Sequence, residues 1–351
     1  MNGLVLLIIS VAVLVCGYIF YGRWLCKQWG VGELDKPTPA HALEDGIDYV
    51  PAKAPILMGH HFSSIAGAGP ITGPIGAAPF GWLACTLWIL VGGIFFGGVH
   101  DFGALFASVR HDGKSIGEII STNMSKRAKM LFLIFAYLTL ILVVAAFASI
   151  VAGTFGATFT EAGEVDLVAS EANARVAMVS LLFIAIAIVF GFLVYRRNAP
   201  MSVASVVGVI AIVAIIAIGM NFHPIYLSKD AWMWICGIYI AIASVTPVWI
   251  LLQPRDYLSS FLLYAMLALA VVAVVLARPD MGSMATVNTF VVTNPDTGAG
   301  NPIFPVLFTT IACGAISGFH SLVSSGTTSK QLDKESDAKP IAYGGMLLEC
   351  V

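Results

Sequence analysis

Residues Pro55 to Trp82 read P-I-L-M-G-H-H-F-S-S-I-A-G-A-G-P-I-T-G-P-I-G-A-A-P-F-G-W. The stretch is apolar enough to enter a bilayer. Yet Gly67, Gly69, Pro70, Gly73 and Pro74 prevent one regular helix, because proline lacks an N–H and glycine costs helix stability. At membrane depth, backbone groups freed by such a break must be met by protein, water or a ligand. Interrupted helices of this kind mark the binding sites of secondary transporters.

The surrounding sequence is 58% hydrophobic and only 11% charged over 351 residues, against about 25% charged in soluble domains. This predicts an integral membrane protein with little soluble mass and no nucleic-acid-binding face. Cys16, Cys26, Cys85, Cys236, Cys313 and Cys350 form no C-x-x-C pair and no metal-ligand spacing with histidine. Four of them lie in apolar segments, as small hydrophobes. No cofactor and no metal of that kind is expected. Gly3 to Gly22 lacks a basic leading region and is too long for a signal-peptide core, so it is expected to remain as a transmembrane helix.

Further apolar runs cover Gly81–Val109, Met130–Gly153, Val176–Tyr195, Met201–Met220, Ala231–Leu252, Leu258–Ala277 and Phe304–Val323. Each is near or above the roughly 20 residues a crossing needs. Lysine and arginine alternate between the connections. Arg110, Lys114, Lys126, Arg127 and Lys129 crowd one, whereas the next carries Glu161, Glu164, Asp166 and Glu171 with only Arg175. Arg23, Lys27, Lys36 and Lys53 join the basic side only if Ile56–Pro79 crosses once. On that reading 15 of the 18 basic residues are cytoplasmic and the N-terminus is outside.

The expected fold is all-α: a multi-spanning membrane bundle with a leucine-transporter-like inverted repeat built on broken helices. Residues 1–22 form an accessory helix and 23–55 a cytoplasmic linker. Residues 56–220 form the first five-helix repeat and 231–351 a partial second one. Ala231–Leu252 opens that second half and carries its own break, A-S-V-T-P-V from Ala243 to Val248. The run from Ile341 to Val351 is too short to cross, so the second half reads as incomplete.

Four long motifs carry a family resemblance: GHHFSSIAGAGPITGPIGAAPFGW from Gly59, GGVHDFGALFASVRHDGKSIGEI from Gly97, TPVWILLQPRDYLSSFLLY from Thr246 and CGAISGFHSLVSSGTTSKQL from Cys313. With them the whole chain closely resembles the carbon starvation protein A family. The resemblance implies a bacterial inner-membrane, multi-pass protein linked to starvation. It implies uptake of peptides, or of pyruvate by proton-coupled symport, and not an enzyme. Family members continue past the sequence matching AYGGMLLE, so this chain is expected to be a C-terminally shortened member that transports poorly or not at all by itself.

Within this frame several residues are candidates for chemistry. An ionisable group inside a membrane is a functional hypothesis by default. His60 and His61 open the broken segment, and histidine titrates near neutrality, which suits proton coupling or carboxylate binding. Against this stands a packed, hydrogen-bonded pair. Ser63, Ser64 and Thr72 offer hydroxyls beside Gly67, Gly69 and Gly73, where backbone can approach a ligand or simply another helix. Ser244, Thr246 and Pro247 form the matching break. His320, Ser324 and Ser325 lie on the third helix of the second half. In the leucine-transporter architecture hydroxyls there join carbonyls of the first broken helix to hold sodium, which makes Ser324 and Ser325 candidate ligands. The alternative is a helix end satisfying its own carbonyls. His100 with Asp101, and Arg255 with Asp256, read as structural ion pairs or gate elements near the cytoplasmic boundary.

The leading expectation is therefore a transporter in the lipid bilayer, with a peptide or pyruvate as substrate and H+ or Na+ as coupling ion. A haem-binding redox protein would need facing histidine pairs. A non-transporting starvation sensor would need a signalling domain, which this sequence does not show; an inactive fragment is the other alternative. The charge alternation predicts Lys53 and Lys114 on the cytoplasmic side, with Glu164 and Asp296 outside. Labelling of a cysteine placed at position 53 by an impermeant reagent from outside would rule out the single crossing of Ile56–Pro79.

Overall fold

The computed structural model describes all residues except 1, 34–35, 68, 162, 198–199, 247–249, 284 and 294–297. Among the described residues six helices are long and apolar enough to cross a membrane. They are α1 (Gly3–Trp29), α4 (Trp82–Arg110), α5 (Lys126–Phe155), α6 (Leu167–Val194), α7 (Ser202–Asn221) and α9 (Pro254–Ala277). Between them lie α2 (Ala54–Ile65), α3 (Gly69–Ala77) and α8 (Lys229–Val245). The last part of the chain forms α10 (Ile303–Thr310), α11 (Ala312–Ile316), α12 (Gly318–Gly326) and α13 (Gly344–Glu349). A small hairpin pairs Val291–Thr293 with Gly300–Pro302, with Val291 opposite Pro302. The protein is thus an all-α, multi-pass membrane protein.

Two compact units make up the chain. One holds Met1–Ser125 with Leu262–Val351, the other Lys126–Phe261. Neither coincides with a contiguous half of the sequence.

The first unit carries the breaks. α2 stops at Ile65 because Ala66 turns to φ −75°, ψ 79°, and the chain resumes as α3 four residues later. The run Phe304–Val323, expected as one span, is instead three short helices. Ile311 relaxes to φ −92°, ψ −1°, and Ser317 leaves the helical region at φ −57°, ψ 119°. The physical reason lies in Gly314, Ser317 and Gly318, which hold a helix weakly, and in what packs there. A Cβ on Gly314 would come 3.2 Å from Pro70 Cα, and one on Gly73 would come 2.6 Å from the Thr310 carbonyl oxygen. Gly69 meets Cys313 even more closely. Two interrupted segments therefore lie backbone to backbone, which only small residues allow.

A second departure concerns α1. The apolar run predicts its end at Gly22, but the helix continues to Trp29 through a widened, π-type turn at Gly17–Tyr21. α4 contains another at Gly93–Gly97. Such turns leave carbonyls without their usual helical partner. Tyr343, wholly buried, meets both: its hydroxyl lies 3.2 Å from the Ile94 carbonyl oxygen and 3.5 Å from that of Gly17. Around it pack Leu57, Phe102, Leu105, Ile341 and Met346, the core of this unit.

In the second unit, α5 packs on α8 through an edge-to-face contact of Phe155 with Trp232 at 5.1 Å. Ala187, Phe190, Ile212 and Leu258 form a second core. α8 stops at Val245, where Thr246 turns extended at φ −80°, ψ 134°, in line with the expected break.

Replacing Gly73 by valine should lower thermal stability through overpacking, by about 1–3 kcal/mol. Gly153 has open space where a Cβ would go, with nothing within 4 Å, and should accept alanine without loss. Melting followed by size-exclusion recovery of the purified variants checks both.

Candidate functional site

The interrupted helices bring ionisable side chains together inside the first unit. His61, on the last turns of α2, is fully buried. Its Nδ1 lies 2.9 Å from Thr328 Oγ1, just beyond α12. Its Nε2 has no hydrogen-bond partner among the described residues. The ring rests on α13, where a Cβ on Gly345 would come 3.3 Å from His61 Cδ2.

On the adjoining helices, His320 of α12 points into α4. Its Nδ1 lies 2.9 Å from Asp101 Oδ2, and both side chains are wholly inaccessible. The other ring nitrogen, Nε2, faces Glu349 Oε2 of α13 at 3.5 Å, and the Glu349 side chain is 1% exposed. One imidazole thus sits between two carboxylates contributed by two other helices. Asp101 also has His100 Nδ1 at 3.3 Å on its other oxygen, although His100 itself is 43% exposed. Among the described residues no His, Cys, Asp or Glu group is arranged to hold a metal ion.

Of the residues singled out from sequence, His60, His61, Asp101 and His320 converge here. The sequence places Asp101 in a boundary ion pair with its neighbour. The structure keeps that neighbour at 3.3 Å and also buries Asp101 against a histidine 219 residues away. Ser324 is fully buried with an unpartnered hydroxyl among the described residues, whereas Ser325 donates to the Ser321 carbonyl at 2.8 Å. Ser64 donates to the His60 carbonyl at 2.8 Å, and Ser63 is half-buried. Gly69 and Gly73 serve helix contact, while Gly67 and Thr72 stay exposed.

The remaining candidates fall in the second unit. Ser244 and Thr246 donate to Ala241 and Ile242 carbonyls of their own helix, each at 2.8 Å. Pro247 lies outside the described residues, as does Asp296. Arg255 holds Asp256 at 2.9 Å and reaches the Tyr239 hydroxyl at 3.4 Å. Glu349 is not among the residues singled out from sequence, because the last apolar run reads there as a stub. Its signal is present all the same: an acidic residue in A-Y-G-G-M-L-L-E-C is an ionisable group in an apolar segment.

Six spanning helices, two interrupted segments in contact and a buried set of ionisable groups define a multi-pass membrane protein with a polar site inside its fold. The chain belongs to the carbon starvation protein CstA family, whose model matches residues 2–351. It is 39% identical to the peptide transporter CstA of Bacillus subtilis (strain 168) over 100% of this chain and 57% of that protein. It is 37% identical to the peptide transporter CstA of Escherichia coli (strain K12) over 99% of this chain and 48% of the relative. With the pyruvate/proton symporter BtsT of the same strain it shares 35% identity over 99% of this chain and 47% of the relative. The chain spans about half the length of these curated relatives. No solved structure matches.

A polar clasp lies next to Thr328 and ties down Gly30, Lys36 and Ala52. Ala52 N–H donates to the Gln331 carbonyl at 2.9 Å, and Arg110 bonds Glu335 at 2.6 Å and the Gly30 carbonyl at 2.7 Å. Lys36 bonds Asp112 at 2.8 Å, with both side chains 55% exposed. The Lys36 hydrogen bond holds the Asp112 carboxyl below its usual range. Its contribution is therefore present above the ordinary carboxylate range and fades as pH falls through the lowered value. Being exposed, it is worth under about 1 kcal/mol. Arg110→Gln, which strips a buried carboxylate of its charged donor, should cost about 1.5–3 kcal/mol. Lys36→Gln should cost far less, and only above the pH at which Asp112 protonates. Melting of both variants across pH tests the ranking.

Proposed function

We propose that this chain forms the substrate-handling part of a secondary active transporter. It takes up a small carboxylate-bearing solute, a peptide or pyruvate, with protons, across the bacterial inner membrane during starvation. The observation that carries the reading is the meeting of two interrupted segments around His61, Asp101 and His320. Buried ionisable groups are costly in a membrane and are kept where they bind or relay charge. The names of the relatives supply the substrate classes, and one of them names the proton.

In this reading His61 Nε2, which has no hydrogen-bond partner among the described residues, is the donor for a substrate carboxylate. Gly67 and Thr72, at the exposed side of the break, line the approach to it. The N-terminus of α3 adds a favourable field for an anion. Na+ is the alternative coupling ion, favoured by the Ser324 hydroxyl, which has no partner among the described residues.

A full-length relative reconstituted in proteoliposomes should accumulate labelled pyruvate or short peptides under an imposed proton gradient, and a protonophore should abolish this. Replacing the residue of that relative that matches His61 by Gln should lower accumulation at least about ten-fold, the loss of one strongly polar hydrogen bond to substrate. Absence of gradient-driven accumulation of either solute class, or accumulation driven by sodium alone, would overturn the reading.

A further inference from the structure

We propose that Glu349 is the residue that takes up and returns the transported proton, and that Asp101, His320 and Glu349 act together as one single-proton unit. This rests on the proton-coupled reading above and names the groups that would serve it.

Charge counting comes first. An imidazole has two nitrogens, and here each faces a carboxylate: Nδ1 faces Asp101 at 2.9 Å and Nε2 faces Glu349 at 3.5 Å. With the ring protonated and both acids ionised, the set carries one net negative charge. One further proton makes it neutral. A buried net charge is expensive where water is excluded, and a neutral, hydrogen-bonded set is not. The closed packing seen here therefore suits the proton-loaded set. Release of that proton leaves a buried anion that only water entry or an arriving cation relieves. Proton occupancy and opening are coupled by this cost alone.

Which acid carries the extra proton follows from their partners. Asp101 accepts from His320 and is flanked by His100 at 3.3 Å. Neither oxygen of Glu349 has a hydrogen-bond partner among the described residues, and both are buried. A carboxylate in that state has room for a proton, and the carbonyl oxygen of the protonated acid still faces the N–H on His320 Nε2. The groups facing the set from the surrounding helices are His60 and His61 of α2, His100 of α4 and Cys313 of α11, together with Cys350 beside Glu349. None of these is a second carboxylate or a fixed cation.

Position supplies the link to substrate. Gly345, one turn before Glu349, lies under the His61 ring. A shift of α13 on protonation of Glu349 would thus move the floor of the site at the broken helix.

Infrared difference spectroscopy of the reconstituted 351-residue chain, between mildly acidic and mildly alkaline buffer, reads this directly. A buried carboxylic-acid C=O stretch, shifted in D2O, should appear on acidification. It should be lost in Glu349→Gln, move its midpoint in Glu349→Asp and His320→Gln, and persist in Glu171→Gln, a surface control. The Asp variant keeps the test open if the Gln variant does not fold. A wild-type spectrum without a titrating buried acid, or a band that survives Glu349→Gln, overturns the proposal even where proton-driven uptake is observed. A band that behaves as stated, beside a full-length relative that accumulates neither solute class under a proton gradient, leaves the proton site standing and removes the uptake reading instead.

Discussion

The hydrogen bond between Asp101 and His320 ties a continuous membrane helix to an interrupted one at a depth where neither partner has water. Both side chains are wholly inaccessible. Removing either would leave the other buried with a charge or a polar atom unmet, at a cost of several kcal/mol. The rest of the site is arranged around that bond. α12 presents His320, α4 presents Asp101, and α13 closes the far side with Glu349. The breaks at Ile311 and Ser317 allow a short helix to be set at the angle this pairing needs.

The glycines of the opening motif serve more than one end. As a string, Gly67, Gly69 and Gly73 suggest backbone laid bare to a ligand. Two of them are consumed by contact with Cys313 and the Thr310 carbonyl, and only Gly67 is exposed. The small side chains that would admit a ligand are the same ones that admit another helix. Sequence pattern alone does not separate the two uses.

Much of the architecture is legible because membrane spans announce themselves by length and apolarity, and because glycine and proline punctuate. The interrupted helix at Ile65–Gly69, the stop at Thr246 and the first spanning helix can all be read off. The further breaks inside Phe304–Val323 are only partly legible, since Gly314, Ser317 and Gly318 weaken the helix locally but Pro70, packed against Gly314, lies more than two hundred positions earlier. His60 and His61 are visible as ionisable residues in an apolar run. The partner of His320 is not, because a contact across 219 residues leaves no local trace. Glu349 is hidden by a length argument. The run from Ile341 to Val351, weighed by its length, draws no site residue, yet it carries a buried carboxylate into the interior.

Tyr343 raises a matter of order in time. Its hydroxyl meets carbonyls at Gly17 and Ile94, 326 and 249 residues earlier in the chain. A chain is made from its N-terminus and its early parts organise first. The widened turns of α1 and α4 therefore enter the bilayer well before the group that satisfies them has been synthesised. During that interval their carbonyls must be served by transient water or by the insertion machinery, or the turns must pass through as ordinary helix. In that last case the π-type geometry is acquired when Tyr343, just ahead of α13, docks, so that a segment made much later rewrites the hydrogen bonding of α1.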